Sequence, residues 1–191
     1  RMERGEILLG GKKIKIASPA QAIENGIALI PEDRKEQGVI LFNSVQFNIS
    51  LSCLGRLTRL GFISGKRNRE LAQRYRSSLR IKVPDVRQMV VNLSGGNQQK
   101  VALAKALAAD PQIIIFDEPT KGIDVGAKQE IYRLMDELVG RGKAVIMVSS
   151  DMEEILGMSD RLIVLHEGRV AGELSRSEFS QENVLQLASG V

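Results

Sequence analysis

The chain has 191 residues, 43% of them hydrophobic and 26% charged, which supplies enough apolar material for one packed domain or one domain with a smaller insertion. That size excludes a large repeat array, and the richest apolar runs, Gln112–Phe116 and Ala144–Val148, have strand length, far below the roughly 18 residues of a membrane span. Lys and Arg number 27 against 23 Asp and Glu, but ten of the basic residues and only two acids lie between Arg56 and Arg87, so the remainder is net acidic. A solvated helical face is the simpler reading of that basic stretch, which matches no base-reading motif; a nucleic-acid or anionic-lipid surface is the functional alternative. Arg1–Glu6 contains no apolar core of a leader, so secretion is not expected. Cys53 is the single cysteine, which rules out an internal disulfide and a cysteine-based zinc cluster, and a reducing setting fits.

In chain order, Gly5–Leu9, the Gly10-Gly11 turn and Lys12–Ile16 predict a hairpin. Ser18 is placed to cap a short helix with Pro19 in its first turn, ending at Asn25-Gly26, and Ile27–Ile30 predicts a strand that runs into the charged loop Pro31–Arg34. From Val45 to Val83 the pattern is helical, interrupted near Gly55, Gly61 and Gly65, and closed by Pro84. Ser94 is placed to cap a helix reaching Ala109, which Asp110-Pro111 stops. Ile113–Phe116 then predicts a buried parallel strand with Asp117 and Glu118 at its carboxyl end, where open α/β sheets place their chemistry. A helix over about Ala127–Val139 and a second buried strand, Ala144–Val148, imply a parallel sheet. Ser150-Asp151-Met152-Glu153 predicts a capping box, followed by a hairpin (Arg161–His166, Arg169–Leu174) and a small helix to Ala188.

Three features carry chemistry together: Leu93–Gln99 at a helix start, Ile113–Glu118 with Pro119-Thr120, and Gly122–Asp124. Ser94, Gly95 and Gly96 offer a hydroxyl and unobstructed N–H groups at the positive end of a helix, a site for terminal phosphate oxygens. Asp117 suits Mg2+ through a water, and Glu118 is placed to orient or deprotonate an attacking water in phosphoryl transfer. His166, the sole histidine, and the methionines suggest no metal or cofactor site.

On these residues the sequence resembles the ATP-binding cassette family over nearly its whole length, with Leu93–Gln99 like the signature motif, Ile113–Glu118 like the Walker B strand and Gly122–Asp124 like the D-loop. Pro31–Lys35, Asn97–Gln99, Val148–Asp151 and Gly157–Arg161 are similar to the second, C-terminal cassette in the duplicated ATP-binding subunits of ribose, galactose, xylose and arabinose type importers. The resemblance implies an α/β, P-loop NTPase-like fold with a mostly parallel sheet, an inserted helical subdomain and a small antiparallel β part. It divides the chain into 1–44 (hairpin and Q-loop region), 45–110 (helical subdomain with the signature helix) and 111–191 (Walker B, D-loop and C-terminal part). It implies ATP and Mg2+ as ligand and cofactor, Glu118 as catalytic, Asp117 at the metal, and Ser94, Gly95, Gly96, Asp124, Glu32 and Ser150 at nucleotide.

Two departures bear on mechanism. Glu32 holds the place where the family usually has a Gln, and Ser150 the place of its usual γ-phosphate His, so the site lined by this chain's own Walker B is expected to be slow or silent. The intact signature is expected to close instead on the nucleotide of a partner cassette, in the same polypeptide or a homodimer. The other implied partners are a transmembrane permease and, through it, a sugar-binding protein, at the cytoplasmic face of the membrane and without nucleic acid. Gln46–Leu54 resembles the family region leading into the helical subdomain that faces the transmembrane partner, so contact with that membrane subunit is a third reading of the basic helices beside it. No Gly-Lys pair here is followed by Ser or Thr, so the phosphate loop is missing; the chain is expected to be trimmed at its N-terminus and inactive alone. The rivals are a nucleic-acid-associated ATPase of the same superfamily, resting on Arg56–Arg87, and a regulatory module without catalysis, resting on Glu32, Ser150 and the missing loop.

Overall fold

Two adjacent glycines at positive φ, Gly10 and Gly11, turn strand β1 (Ile7–Leu9) onto β2 (Lys12–Ile14) as an antiparallel hairpin, the geometry a right-handed twist favours. The computed structural model describes residues 4–59 and 61–190; the first three residues of the Arg1–Glu6 stretch, Leu60 and Val191 lie outside the described residues. Ser18 Oγ accepts the Gln21 N–H and starts α1 (Pro19–Glu24), and β3 (Ile27–Ile30) follows. The charged loop after β3 is more ordered than its composition indicates. Asp33 accepts the Lys35 and Glu36 N–H groups and opens a wide helical turn, Arg34–Gly38.

Next come α2 (Val45–Ser50), α3 (Leu54–Leu57), a two-residue strand pair β4 (Thr58–Arg59) and β5 (Phe62–Ile63), and α4 (Gly65–Ser78). The break expected at Gly61 is thus a small hairpin, with Gly61 at φ +83°. After α4 the chain forms α5 (Gly95–Ala108), β6 (Ile113–Asp117), α6 (Val125–Gly140), β7 (Ala144–Val148) and α7 (Met152–Met158). It finishes with the hairpin β8 (Arg161–His166) and β9 (Arg169–Ser175) and with α8 (Gln181–Ser189).

Strands β3, β6 and β7 form a parallel sheet in that order, with Ile30 opposite Phe116 and Asp117 opposite Val148. Helices α5 and α6 cover one face, where Ala28, Ile30, Ile114 and Phe116 pack with Leu103, Ala106, Ile131 and Met135. On the other face Leu29, Ile146 and Val148 are 55%, 51% and 51% exposed. The expectation of two fully buried strands therefore holds for one face only: β6 alternates buried and half-buried residues, and β7 has no buried residue.

A second hydrophobic cluster joins α2, α4 and α5 through Val45, Ile49, Ala72, Val86, Val90 and Val101. The carboxyl end of α5 is held into this layer by side chains from neighbouring helices: Tyr75 Oη donates to the Leu107 carbonyl (2.8 Å) and Arg56 Nη2 to the Ala109 carbonyl (2.8 Å). Asn48, fully buried, receives the Ile40 N–H at 2.7 Å and donates to the Ile40 and Ser44 carbonyls, both at 3.0 Å. It pins the segment leaving the Arg34–Gly38 turn. Replacing Asn48 with Ala is expected to destabilise the fold by about 1–3 kcal/mol, read as a lower denaturant midpoint at constant slope.

Candidate functional site

The carboxylate end of β6 carries local backbone strain. Asp117 is the last strand residue, and Glu118 immediately after it takes φ +46°, a left-handed conformation that costs a residue with a Cβ about 1–2 kcal/mol. Two features hold it there: its N–H donates to the Val148 carbonyl at 2.8 Å, and the next residues, Pro119 and Thr120, are buried. The sheet thus presents Asp117 and Glu118 together at the point where β6 leaves the plane.

Around this point the structure adds two lysines that the sequence motifs do not single out. Lys121 pairs with Glu32 across the loops (2.6 Å), and that hydrogen bond holds its ammonium above the usual range, with Glu118 adding a smaller pull in the same direction. Glu32 is therefore engaged by a cation of its own chain. Lys128, in the first turns of α6, bonds Asp151 at 3.0 Å, and this contact, followed by the Glu154 N–H, holds the Asp151 carboxyl below the usual range. Asp124 caps the same helix by accepting the Ala127 N–H at 2.9 Å, so its carboxylate already has a structural duty.

The segment after β7 is capped one residue later than its sequence indicates. Asp151, and not Ser150, is the cap of α7, accepting the Glu153 and Glu154 N–H groups. The reciprocal partner is Ser149, whose hydroxyl donates to buried Glu154 and accepts the Asp151 N–H at 3.0 Å. Ser150 is left exposed between these anchors, and among the described residues its hydroxyl makes no hydrogen bond. A capping role does not account for it.

The start of α5 also departs from expectation. Ser94 occupies the cap position, but its hydroxyl bonds no helix N–H; it accepts Asn97 Nδ2 at 2.9 Å, while Asn97 Oδ1 receives the Lys82 N–H at 2.7 Å. The Ser94 hydroxyl proton and the first amides of α5 are thereby available to an anion. Gly95 lies against Arg34, where an added Cβ would sit 2.8 Å from the Arg34 guanidinium; at Gly96 a Cβ would meet only Ala127, at 3.7 Å. Below them Gln98 donates to the Val90 and Leu93 carbonyls, both at 3.2 Å, fixing the turn that enters the helix.

The structure therefore forms two groups. Glu32, Lys121, Asp117, Glu118 and the Ser150 segment cluster at the sheet end, whereas Ser94, Gly95 and Gly96 lie by Arg34 and the first turn of α6. Elsewhere Cys53 is buried, burial raising its thiol pKa, and His166 Nδ1 contacts the Ala188 carbonyl at 2.6 Å. No cluster of three or more His, Cys, Asp or Glu side chains suited to a metal occurs among the described residues, and no helix there is long and apolar enough to cross a membrane.

Residues 1–121 match the family described as ABC transporter. The chain is 51% identical over 189 residues to the ribose import ATP-binding protein RbsA 2 of Rubrobacter xylanophilus, covering 99% of this chain and 36% of that protein. It is likewise 51% identical over 188 residues to the xylose import ATP-binding protein XylG of Thermoanaerobacter pseudethanolicus, covering 98% and 37%. The chain thus spans little more than a third of the length of these curated relatives. Among solved structures, a dimeric post-hydrolysis state of the ATP-binding cassette MJ0796 bound to ADP and Pi superposes with a TM-score of 0.76 at 25% identity, covering 93% of this chain and 75% of that one. The ADP conformation of another ATP-binding cassette, MJ1267, shares the fold at 22% identity, with a TM-score of 0.77 over 99% of this chain and 78% of its own.

Two outcomes follow from this geometry. Glu118→Gly relieves the left-handed strain and is expected to raise stability by about 1 kcal/mol in denaturant unfolding while deleting the carboxylate. The Asp151 carboxyl titrates lower folded than unfolded, so its contribution is complete above about pH 5 and is lost progressively as pH falls through the unfolded value and then the folded one. Intrinsic-rate-corrected hydrogen exchange of residues 149–152 is expected to stay flat from about pH 5 to 8 and accelerate at lower pH, and the Asp151→Asn variant to lose that acid dependence.

Proposed function

Because this chain belongs to the ABC transporter family, we propose that it is the second ATP-binding cassette of a sugar importer's ATP-binding subunit, contributing its signature to ATP held by an opposed cassette. The observation that carries the reading is the start of α5, where the Ser94 hydroxyl is not spent on capping and, among the described residues, no side chain caps the first amides. The ribose and xylose import named for its relatives supports a monosaccharide as cargo.

In this reading the three segments are 1–44 and 111–191 as cassette core and 45–110 as helical subdomain. The donor set at the sheet end fits a nucleotide with Mg2+: two carboxylates at a strand's carboxyl end, one of them held in a strained conformation. Bound Mg2+ supplies charge neutralisation at the phosphates. Asp117 would hold it and Glu118 would orient an attacking water and accept its proton, but Ser150 offers only a hydroxyl where an imidazole would reach further, so this cassette's own site is expected to be slow. Glu32, tied to Lys121, and Asp124, tied to the start of α6, shape the walls of the site. Ser94, Gly95 and Gly96 donate to the terminal phosphate of the opposed site. The further partners are a permease and, through it, a sugar-binding protein, with the cassette on the cytoplasmic face of the membrane. With no Gly-Lys-Ser or Gly-Lys-Thr in the sequence, the 191 residues alone bind Mg-ATP weakly and turn it over little.

The Glu32–Lys121 pair, and Ser150 standing without a cap role where an imidazole would reach phosphate, favour one second reading, a regulatory cassette whose own site does no chemistry. Steady-state ATPase assays of the complete importer separate the two. Gly96→Asp places a carboxylate at the phosphate-facing amides and is expected to reduce turnover at least about tenfold; wild-type turnover would remove the in-trans role. Loss of most turnover in Glu118→Gln assigns hydrolysis to this cassette's own site, and retained turnover assigns it to the opposed one.

A further inference from the structure

The basic stretch has features that a merely solvated helix does not explain. Helix α4 contains five cations and a single acid, Glu70, and its first turn holds Lys66 and Arg67 with no acidic residue, against the positive end of the helix dipole. Lys66, Arg67, Arg69 and Arg74 are exposed, and none of them enters an ion pair among the described residues. Neither local helix stability nor charge pairing accounts for this concentration. Lys66, Arg69 and Arg74, with the single acid Glu70 and Gln46 of α2, line an open groove of about 900 Å3 in which cations outnumber the acid three to one.

Beside these cations stands an apolar projection. Phe62 is 81% exposed and Ile63 50% exposed on the β4–β5 hairpin. Ser64 links the base of the hairpin to the helix start: its N–H donates to the Leu57 carbonyl at 3.0 Å while its hydroxyl caps α4. Exposed Phe and Ile next to unpaired Lys and Arg match the interface of a lipid bilayer, where rings enter the acyl boundary and cations meet headgroup phosphates. They match nucleic acid poorly. Tyr75, the aromatic residue of α4, is turned inward to the Leu107 carbonyl and offers no stacking platform.

We infer that the β4–β5 hairpin and the cationic face of α4 form a docking surface for anionic phospholipid headgroups, with Phe62 and Ile63 inserted among them. This surface is separate from the nucleotide reading and does not depend on it.

The test is co-sedimentation of the purified protein with phosphatidylcholine vesicles, with and without about 30 mol% phosphatidylglycerol, at about 0.1 and 0.5 M salt, beside a mixed-sequence DNA duplex as competitor. Binding is expected only to the anionic vesicles and to fall at high salt. The Lys66→Ala, Arg67→Ala double variant is expected to lose about thirty-fold in partitioning, near five-fold per cation. Phe62→Ala with Ile63→Ala is expected to lose at least about tenfold. Lys12→Ala with Arg169→Ala, two exposed cations on other hairpins, should bind like wild type. All these side chains are exposed, so unchanged thermal melts are expected throughout. Equal binding to neutral vesicles, displacement by DNA with no dependence on Phe62 and Ile63, losses matched by the distant pair, or no vesicle binding at all would each overturn the assignment.

Discussion

Helix α5 is buried on two sides, and the positions of both functional groups depend on that burial. Val101, Ala104 and Ala108 face the cluster with α2 and α4, while Leu103 and Ala106 face the sheet under β3 and β6. A helix packed on two sides in this way has little freedom to rotate or slide without exposing one contact surface. Small residues dominate it because two layers must approach closely, and close-packed interiors transmit any displacement. Its amino end, with Ser94, Gly95 and Gly96, is therefore positioned by the same contacts that seat Phe116 beneath the sheet and so place Asp117 and Glu118.

The polar links around the sheet end position side chains more than they stabilise the fold. The Glu32–Lys121 pair is exposed and the Lys128–Asp151 pair partly so, and exposed ion pairs contribute about 0–1 kcal/mol. What they do is join elements distant in sequence: the loop after β3 to the loop after β6, and the first turns of α6 to the cap of α7. Glu118 shows the converse arrangement. Its conformation is unfavourable by itself and persists because buried Pro119 and Thr120 and the Val148 carbonyl over-determine the backbone there.

Much of the architecture was legible in the sequence because long-range order follows from local apolar runs. Ile27–Ile30, Ile113–Phe116 and Ala144–Val148 were readable as strands, and their connections fixed a parallel sheet. The glycine pair of the first hairpin needed no tertiary information. What sequence could not supply was competition between neighbours. Ser94 reads as a cap, yet Asn97 takes its hydroxyl; Ser150 reads as a cap, yet Asp151 is drawn to that duty with Lys128 holding it in place. The β4–β5 hairpin has two residues per strand, too few for any periodicity to register. Of the candidate site residues, the strand-end carboxylates and the glycines were visible by type and spacing, whereas Lys121, Lys128 and Arg34 emerge only when separate loops are brought together.

The lone thiol has an experimental use. Cys53 sits within the α2–α4–α5 layer, its proton held by burial and its sulfur 3.4 Å from the Ser50 carbonyl. An alkylating reagent reaches it only through an opening of that layer, so its reaction rate is a clock for breathing of the helical half that needs no engineered label.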